Sequence, residues 1–320
     1  MVSFSERIER WARSHPLQLG GVSVSVLAVR VVQRFLEVRV VGLAAEMTYY
    51  ALLSAFPLVG MLGASLGFLE RLVGAEPAQR MEGAILVALD VVFSPAVTAD
   101  VIAPLVAGLL REERAGFAIG SFLITLFFAS RIFRSAIDTL DTAYRVDERR
   151  SFLALWGLGL LFALSAVIVS AVLVAMVVVG PLLGGARAVA TWLRLGAAFE
   201  WAWALARWPL VFAVATAFLS LLYHTGPNAR TTWRGSLPGA VFGMLALVVV
   251  ATGFRLYIDA TGLQSPSIAD ADDAVALVAR AFGALLAVLL WIWLSAMVLL
   301  TGGIVNAELA RLRGERPVEK

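Results

Sequence analysis

Six apolar stretches dominate this chain, and each is long enough to cross a lipid bilayer as a helix. They occupy residues 41–68, 115–133, 152–183, 204–224, 236–258 and 282–306. A hydrocarbon layer about 30 Å thick needs roughly 20 mainly apolar residues at the helical rise, and every stretch approaches or exceeds that length. Because a helix satisfies its own backbone in lipid, these stretches predict an all-α, polytopic membrane bundle with six transmembrane helices.

The composition agrees with a membrane location. Hydrophobic residues make up 60% of the 320 and charged residues 15%, whereas soluble domains average about 45–50% and about 25%. We expect one six-span membrane domain over 40–306, an N-terminal segment over 1–39 and a tail over 307–320. Residues 1–19 carry charges and no apolar core of a cleavable signal, so the first span is expected to direct insertion.

The distribution of basic residues predicts the orientation. With the N-terminus inside, most of the 26 basic residues fall in the N-terminal segment, in the 131–151 and 225–234 connections and in the tail. The positive-inside rule favours this arrangement. Both termini are therefore predicted to be cytoplasmic.

The segment before the first span has the pattern of an amphipathic helix. Leu27, Val31 and Phe35 share one helical face, while Arg30 and Arg34 lie on the other. This pattern predicts a helix at the cytoplasmic interface with its arginines towards anionic headgroups. A helix packed against the bundle is the alternative interpretation.

Two outer connections have features of their own. In the connection over 70–114, apolar residues recur at helical spacing but in runs too short to span, which predicts short helices that cap the bundle or re-enter it. Asp270, Asp272 and Asp273 make the 259–280 connection acidic. Their spacing lacks the glycine and distal glutamate of a calcium loop, so we expect a solvated loop and no metal site.

A polar stripe follows the first span at helical spacing and consists of Glu46, Tyr49, Tyr50, Ser54 and Pro57. A carboxylate at bilayer depth costs about 2.5–3.5 kcal/mol on insertion scales, so the stripe is expected to face protein or water. Two interpretations of Glu46 remain open. It belongs to a pathway or relay through a cavity between helices, or it forms a structural ion pair with Arg131 or Arg134.

Basic residues also lie at the predicted cytoplasmic rim. Arg131 and Arg134 follow the second span, and Asp138 and Asp141 stand four and seven residues after Arg134, where a solvated, helix-stabilising charged face is expected. Arg230 and Arg234 lie in the next cytoplasmic connection. They are candidates to meet a phosphate, although positive-inside topology alone also accounts for them.

Small residues mark candidate helix contacts. Gly239 and Gly243 form a GxxxG motif in the fifth span, and Gly302 and Gly303 are adjacent in the last span. Glycines let helix backbones approach closely within a membrane. These four positions are therefore predicted packing sites, although the motif alone is common in spans.

Three groups of residues, in order along the chain, resemble the YihY/BrkB family of bacterial inner-membrane proteins, formerly labelled as ribonuclease BN. The first group is Leu43 to Pro57, with its tyrosine, serine and proline spacing. The second comprises Leu222, Tyr223, Pro227, Arg230, Arg234, Gly239, Ala240, Phe254 and Tyr257, and the third comprises Phe282, Gly283, Trp291 and Gly302. The resemblance covers roughly 40–310 and implies a multi-pass protein of the bacterial cytoplasmic membrane. One departure is Ile304, where the family often has a glutamate.

The residues argue against an enzyme. The two histidines, His15 and His224, are far apart in the sequence and are not grouped with acids as metal ligands of a hydrolase would be, and no GxxxxGK[ST] phosphate loop occurs. We expect no catalytic residues and no cofactor. Zero cysteines also exclude thiolate chemistry.

Two functions from different classes remain. The first is a transporter or lipid-handling protein whose polar stripe lines a cavity; the resemblance implies a role in envelope lipid movement or export. The second is a non-transporting anchor that binds an envelope partner through the 70–114 connection. Membrane lipids are the expected partners, an envelope protein or a second copy of the chain is left open, and nucleic acid is not expected.

Overall fold

The computed structural model describes residues 18–19, 22–73, 115–174, 176–177, 196–261 and 273–315. A short antiparallel pair, β1 (Gln18–Leu19) and β2 (Val22–Ser23), precedes the helices. Within the described residues the helices are α1 (Val24–Val38), α2 (Val40–Val73), α3 (Ala115–Tyr144), α4 (Phe152–Val174), α5 (Gly196–Thr225), α6 (Trp233–Thr261) and α7 (Asp273–Leu312). The predicted short helices within 74–114 and the acidic segment 262–272 lie outside the described residues.

Six of the described helices, α2 to α7, are long and apolar enough to cross a membrane. Their candidate spans are Val40–Leu58, Ala118–Tyr144, Phe152–Val174, Leu205–Thr225, Trp233–Ile258 and Phe282–Leu312. The prediction of an all-α polytopic bundle with six spans is confirmed.

Two span boundaries differ from the prediction. The 131–151 connection was expected to leave the helix early, but α3 continues to Tyr144, so the actual connection is 145–151. Its charged residues lie within the helix because charge on one face does not interrupt a backbone hydrogen-bond ladder. Similarly, α7 continues to Leu312, past residue 306, where the tail was expected to begin.

The six long helices form a ring in chain order. Each packs against the next from α2 to α7, α7 closes the ring against α2, and α7 also contacts α3 across it. Phe133, Phe162 and Phe218 join α3, α4 and α5, with ring centroids 5.8–6.4 Å apart. The last helix is therefore in contact with several of the others, and its residues can connect them.

Burial is concentrated at one end of this ring. We call this the charged end, and it comprises residues 24–39, 136–151, 219–240 and 296–315. Most of the buried residues of the described chain lie there, including Ile137, Leu140, Tyr223 and Ile304. The far half, comprising residues 161–174, 205–215, 241–257 and 282–290, instead exposes large apolar side chains. In hydrocarbon such exposure is neutral, since lipid tails are as apolar as leucine.

Two helices at the charged end stop at an arginine in the left-handed conformation. Arg39 has φ 61° after α1, and Arg145 has φ 59° after α3. The Arg145 N–H donates to Thr142 O and the Val146 N–H to Asp141 O, both at 3.1 Å, which is a Schellman termination. Glycine is favoured at such positions, because an L-residue costs about 1–2 kcal/mol there.

Three of the four glycines expected at helix contacts lie where a Cβ atom would overlap a neighbour. An added Cβ would be 2.1 Å from Gly302 O at Gly239, 2.7 Å from Gly239 O at Gly302, and 2.1 Å from Leu140 Cδ2 at Gly303. At Gly243 the nearest atom, Tyr223 Oη, is 3.4 Å away, an ordinary contact. The backbones of α6 and α7 therefore touch at Gly239 and Gly302.

Candidate functional site

Asp141 is the first element of a buried polar network at the charged end. It lies near the end of α3 and only 4% of its surface is exposed. Its Oδ1 accepts a hydrogen bond of 2.5 Å from the backbone N–H of Asn228, in the connection between α5 and α6. The Asn228 side chain donates back to Asp147 O at 2.8 Å. These two bonds hold the 145–151 and 226–232 connections together.

Arg150 provides the second link between the same connections. Its Nη2 atom donates to Gly226 O at 2.8 Å and to Glu148 Oε2 at 2.6 Å, and lies 3.6 Å from Asp141 Oδ2. Burial acts to raise the pKa of Glu148, but its hydrogen bonds and charge attraction to Arg150 outweigh burial and lower that pKa below its ordinary value of 4.5. The network is therefore maintained by charge as well as by backbone bonds.

Asn306 connects α7 to the first turns of α6. This side chain is 1% exposed, accepts from the Gly239 N–H at 2.6 Å and donates to Ser236 O at 2.8 Å. Pro238 lies between these two residues and has no N–H of its own. Asn306 thus satisfies backbone groups beside a proline within a span.

A cavity of about 210 Å³ opens at the charged end where α1 meets the ends of α3 and α7. We call it the arginine cavity; its lining is Arg30, Gln33, Arg34, Glu37, Arg145, Glu308 and Arg311. Its four arginines outnumber its two glutamates. The charged groups are partly paired: Arg34 with Glu37 at 2.8 Å, Arg145 with Glu37 at 3.8 Å and Arg311 with Glu308 at 3.3 Å.

Helix α1 is docked onto the bundle. Ser23 caps its start by accepting from the Val26 N–H, and Val31 and Phe35 pack against the buried cluster of α2, α3 and α7. Arg34 donates to the carbonyls of Thr142 and Ala143 at the end of α3. The alternative prediction, a helix packed against the bundle, therefore describes Val31 and Phe35, whereas Val32 and Leu36 remain exposed.

Two members of the polar stripe of the first span, Glu46 and Tyr49, lie away from the buried face of its helix. Val40, Ala44 and Met47 form the buried face of α2. Tyr49 lies opposite that face and is 57% exposed, and Glu46 is also exposed. The stripe was expected from the sequence to face protein or water; Tyr50 contacts Arg131 of α3, whereas Glu46 is exposed.

The other members of the stripe have partners within the chain. Arg131 Nη2 donates to Tyr50 Oη at 2.9 Å, and its guanidinium carbon lies 5.1 Å from the Tyr50 ring centroid. Ser54 Oγ donates to Ala51 O of its own helix at 2.8 Å, and Pro57 is half-buried within α2. Tyr50 is thus the member of the stripe held by a side chain of another helix.

The rim arginines are distributed over different environments. The guanidinium carbon of Arg134 lies 5.0 Å from the centroid of the Phe152 ring. Among the described residues, neither Arg134 nor Arg131 forms an ion pair with Glu46. Arg230 lines a water-sized cavity together with Tyr144 and Asn306, and Arg234 is exposed. The solvated face expected for Asp138 and Asp141 holds for Asp138 only, since Asp141 is buried.

Three buried polar residues, each at most 2% exposed, were not predicted from the sequence: Asn228, Asn306 and Glu308. Asn306 and Glu308 lie two residues apart in the last turns of an apolar span. Polar residues at such a position are a feature of the sequence that could have indicated them. Ile304 stands where the resembled family often has a glutamate, but the buried acid of this helix end is Glu308. No comparable signal indicated Asn228, whose partner Asp141 is distant in sequence. In the described part of the chain, no three acidic or histidine side chains group as metal ligands.

The six apolar spans and the polar network at one end define a polytopic helical membrane protein. Residues 31–320 match the family described as virulence factor BrkB, and the chain belongs to that family. The earlier resemblance to the YihY/BrkB family is thereby confirmed.

Three relatives of the chain differ in how they are described, and two of them are described as membrane proteins. The chain is 24% identical over 264 residues to a putative ribonuclease-like protein, YfkH, of Bacillus subtilis (strain 168), covering 82% of this chain and 88% of that protein. It is 26% identical over 225 residues to a UPF0761 membrane protein of Verminephrobacter eiseniae (67% of this chain and 47% of the relative). A UPF0761 membrane protein of Pseudomonas aeruginosa is 35% identical over 106 residues, or 33% of this chain and 22% of the relative. No solved structure matches the chain.

Proposed function

We propose that this protein handles membrane lipids, moving a polar headgroup along the outer face of α2 while the acyl tails stay in the bilayer. The observation that supports the proposal is the exposed polar stripe. Glu46 and Tyr49 are exposed on a span among the described residues, and we place them towards the bilayer, where a carboxylate is costly. A headgroup in contact with the stripe offsets that cost, so the stripe is favourable only in the presence of a polar occupant.

The stripe offers complementary charges to a phospholipid headgroup. Arg131, held by Tyr50 Oη at 2.9 Å, provides a guanidinium for the phosphate. Glu46 provides a carboxylate for the ammonium group of ethanolamine or choline. Because both groups lie near the charged end, which we place on the cytoplasmic side, the route begins at the cytoplasmic leaflet. No covalent chemistry is required, and we propose a role without catalysis.

Transbilayer movement of a fluorescent phosphatidylethanolamine in liposomes tests this function, with dithionite to quench the outer leaflet. We expect protein-dependent exchange between leaflets, slowed at least about tenfold by Glu46→Gln or Tyr49→Phe in protein that still elutes as a folded species. Thr252→Val is the matched control, because Thr252 is also exposed on a span and bonds only its own helix. Exchange at the protein-free rate in the wild-type liposomes would contradict the proposal.

The competing function is a non-transporting anchor that binds an envelope partner through the 70–114 connection. The absence of native cysteines makes a direct comparison simple. Single cysteines placed at 49, 50, 54 and 57 are treated with a water-soluble thiol reagent in native membranes. Labelling at 49 and 50 supports a hydrated route for headgroups, and uniform protection supports the anchor.

A further inference from the structure

Three arginines of the arginine cavity, Arg34, Arg145 and Arg311, share the two carboxylates of Glu37 and Glu308. The cavity has a volume of about 210 Å³. One water needs only about 10–15 Å³ of such space, so the cavity is large enough for a polyatomic ion with its waters. Its contents are therefore expected to be negatively charged.

Arg145 is the residue through which the excess positive charge is most evident. Burial, followed by repulsion from Arg311 and Arg34, lowers the pKa of the Arg145 guanidinium below its ordinary value. Its nearest carboxylate oxygen in the cavity, Glu37 Oε2, is 3.8 Å away and already receives a 2.8 Å bond from Arg34. An anion in the cavity would relieve this repulsion.

The backbone at Arg145 gives a second, independent argument. This residue terminates α3 with φ 59°, a conformation in which glycine would be free of strain. The arginine is therefore disfavoured by the local backbone. Its side chain lines the arginine cavity, so the residue that the local backbone disfavours contributes a positive charge there.

We propose that the arginine cavity binds a phosphate group, carried by a lipid headgroup or present as free phosphate. Arginine matches phosphate with two parallel N–H donors, and Arg145 and Arg311 have donors left after their long contacts to Glu37 and Glu308. The inference does not depend on the route along α2, and either can fail alone.

The chain offers a matched pair of variants. Arg145→Gly removes one guanidinium from the cavity and relaxes a left-handed cap. Arg39→Gly makes the same change in charge and at the same kind of cap, with φ 61°, but Arg39 does not line the cavity. Both proteins are expected to fold as well as the wild type.

Calorimetric titration of the full chain in a neutral maltoside detergent, at fixed ionic strength, tests the inference with inorganic phosphate and with dihexanoyl phosphatidic acid. We expect saturable binding that Arg145→Gly weakens at least about tenfold and Arg39→Gly less than about twofold. Arg311→Gln is a second cavity variant, expected to weaken binding similarly. The absence of saturable binding of either probe, or equal weakening by the two glycine variants, would overturn the proposal.

The two probes also identify the source of the phosphate group. If dihexanoyl phosphatidic acid binds at least about tenfold more tightly than inorganic phosphate, with the same dependence on Arg145, the ligand is a lipid headgroup. Equal affinities for the two probes, again dependent on Arg145, identify free phosphate. Each of these results supports a phosphate site in the cavity.

Discussion

The charged end and the far half of the bundle are built from the same helices, yet different contacts stabilise them. At the charged end, close backbone contacts and buried polar groups such as Asp141 and Asn306 connect four segments of the chain. In the far half, apolar side chains such as Val249 and Leu286 are exposed. In a membrane, apolar surface alone does not hold helices together, whereas close packing and hydrogen bonds do. The comparison predicts that sensitivity to mutation is concentrated at the charged end.

The largest effect is expected where α6 and α7 touch. Gly239→Ala places a Cβ atom 2.1 Å from Gly302 O, a backbone atom that cannot rotate away, and should lower the free energy of unfolding by about 3 kcal/mol. Gly243→Ala, one turn further along the same helix, is the control and should change it by less than about 0.5 kcal/mol. Unfolding in mixed micelles measures both free energies. Equal effects of the two substitutions would contradict a close backbone contact at Gly239 that is absent at Gly243.

A smaller loss is expected on removing the buried carboxylate of α3. Asp141→Ala leaves the Asn228 N–H without its acceptor and should cost about 2 kcal/mol. Asp138→Ala removes the same charge from an exposed position of the same helix and should be within about 0.5 kcal/mol of wild type. The same micelle unfolding distinguishes the two, and a cost for Asp138→Ala as large as that for Asp141→Ala would show that burial is not the cause.

Acid should weaken the charged end through Glu148. Because the folded-state pKa of Glu148 is lowered, its pairing with Arg150 contributes stability above pH 4.5, and this contribution is lost as the pH falls through the folded-state pKa. We expect an effect under about 1 kcal/mol. Glu148→Gln should flatten the dependence of the unfolding midpoint on pH below 4.5, and an unchanged slope in this variant would contradict the assignment.

The smallest effect is expected in the far half. Val249 is 70% exposed, so Val249→Ala removes methyl groups that contact detergent or lipid and should change the free energy of unfolding by less than about 0.5 kcal/mol. A loss above about 1 kcal/mol would show that Val249 packs against protein in the membrane, as in an oligomer. Crosslinking of the wild-type chain in liposomes then checks that explanation.

The sequence was sufficient for the existence and order of the six spans, because hydropathy reports directly on the solvent of a helix. It was insufficient for the end of α3, since Arg131, Asp138 and Asp141 lower the hydropathy of a helix without ending it. Periodicity grouped Glu46 with Tyr49 on one face but did not determine which way that face points, because the direction depends on the packing of α2 against α3 and α7.

The polar network of the candidate site could not be predicted from the sequence, for a different reason. Asp141 and Asn228 are brought together by the ring of helices, across 87 positions of sequence, and no local pattern records such a pair. Helix contacts at glycines were easier to predict, since the missing side chain itself indicates a close approach of two helix backbones. Even so, only the structure separates Gly239, where a Cβ does not fit, from Gly243, where it does.

Hydrogen–deuterium exchange of the full chain in lipid nanodiscs tests most directly whether the charged end is a locked structure. Residues 226–232 lie between α5 and α6, outside both helices, and the Asn228 N–H is bound by buried Asp141. The account predicts that this amide exchanges at least about a hundredfold more slowly than an open loop, and that Asp141→Ala removes the protection. Exchange of Asn228 in the wild-type protein at the rate of an open loop would contradict it.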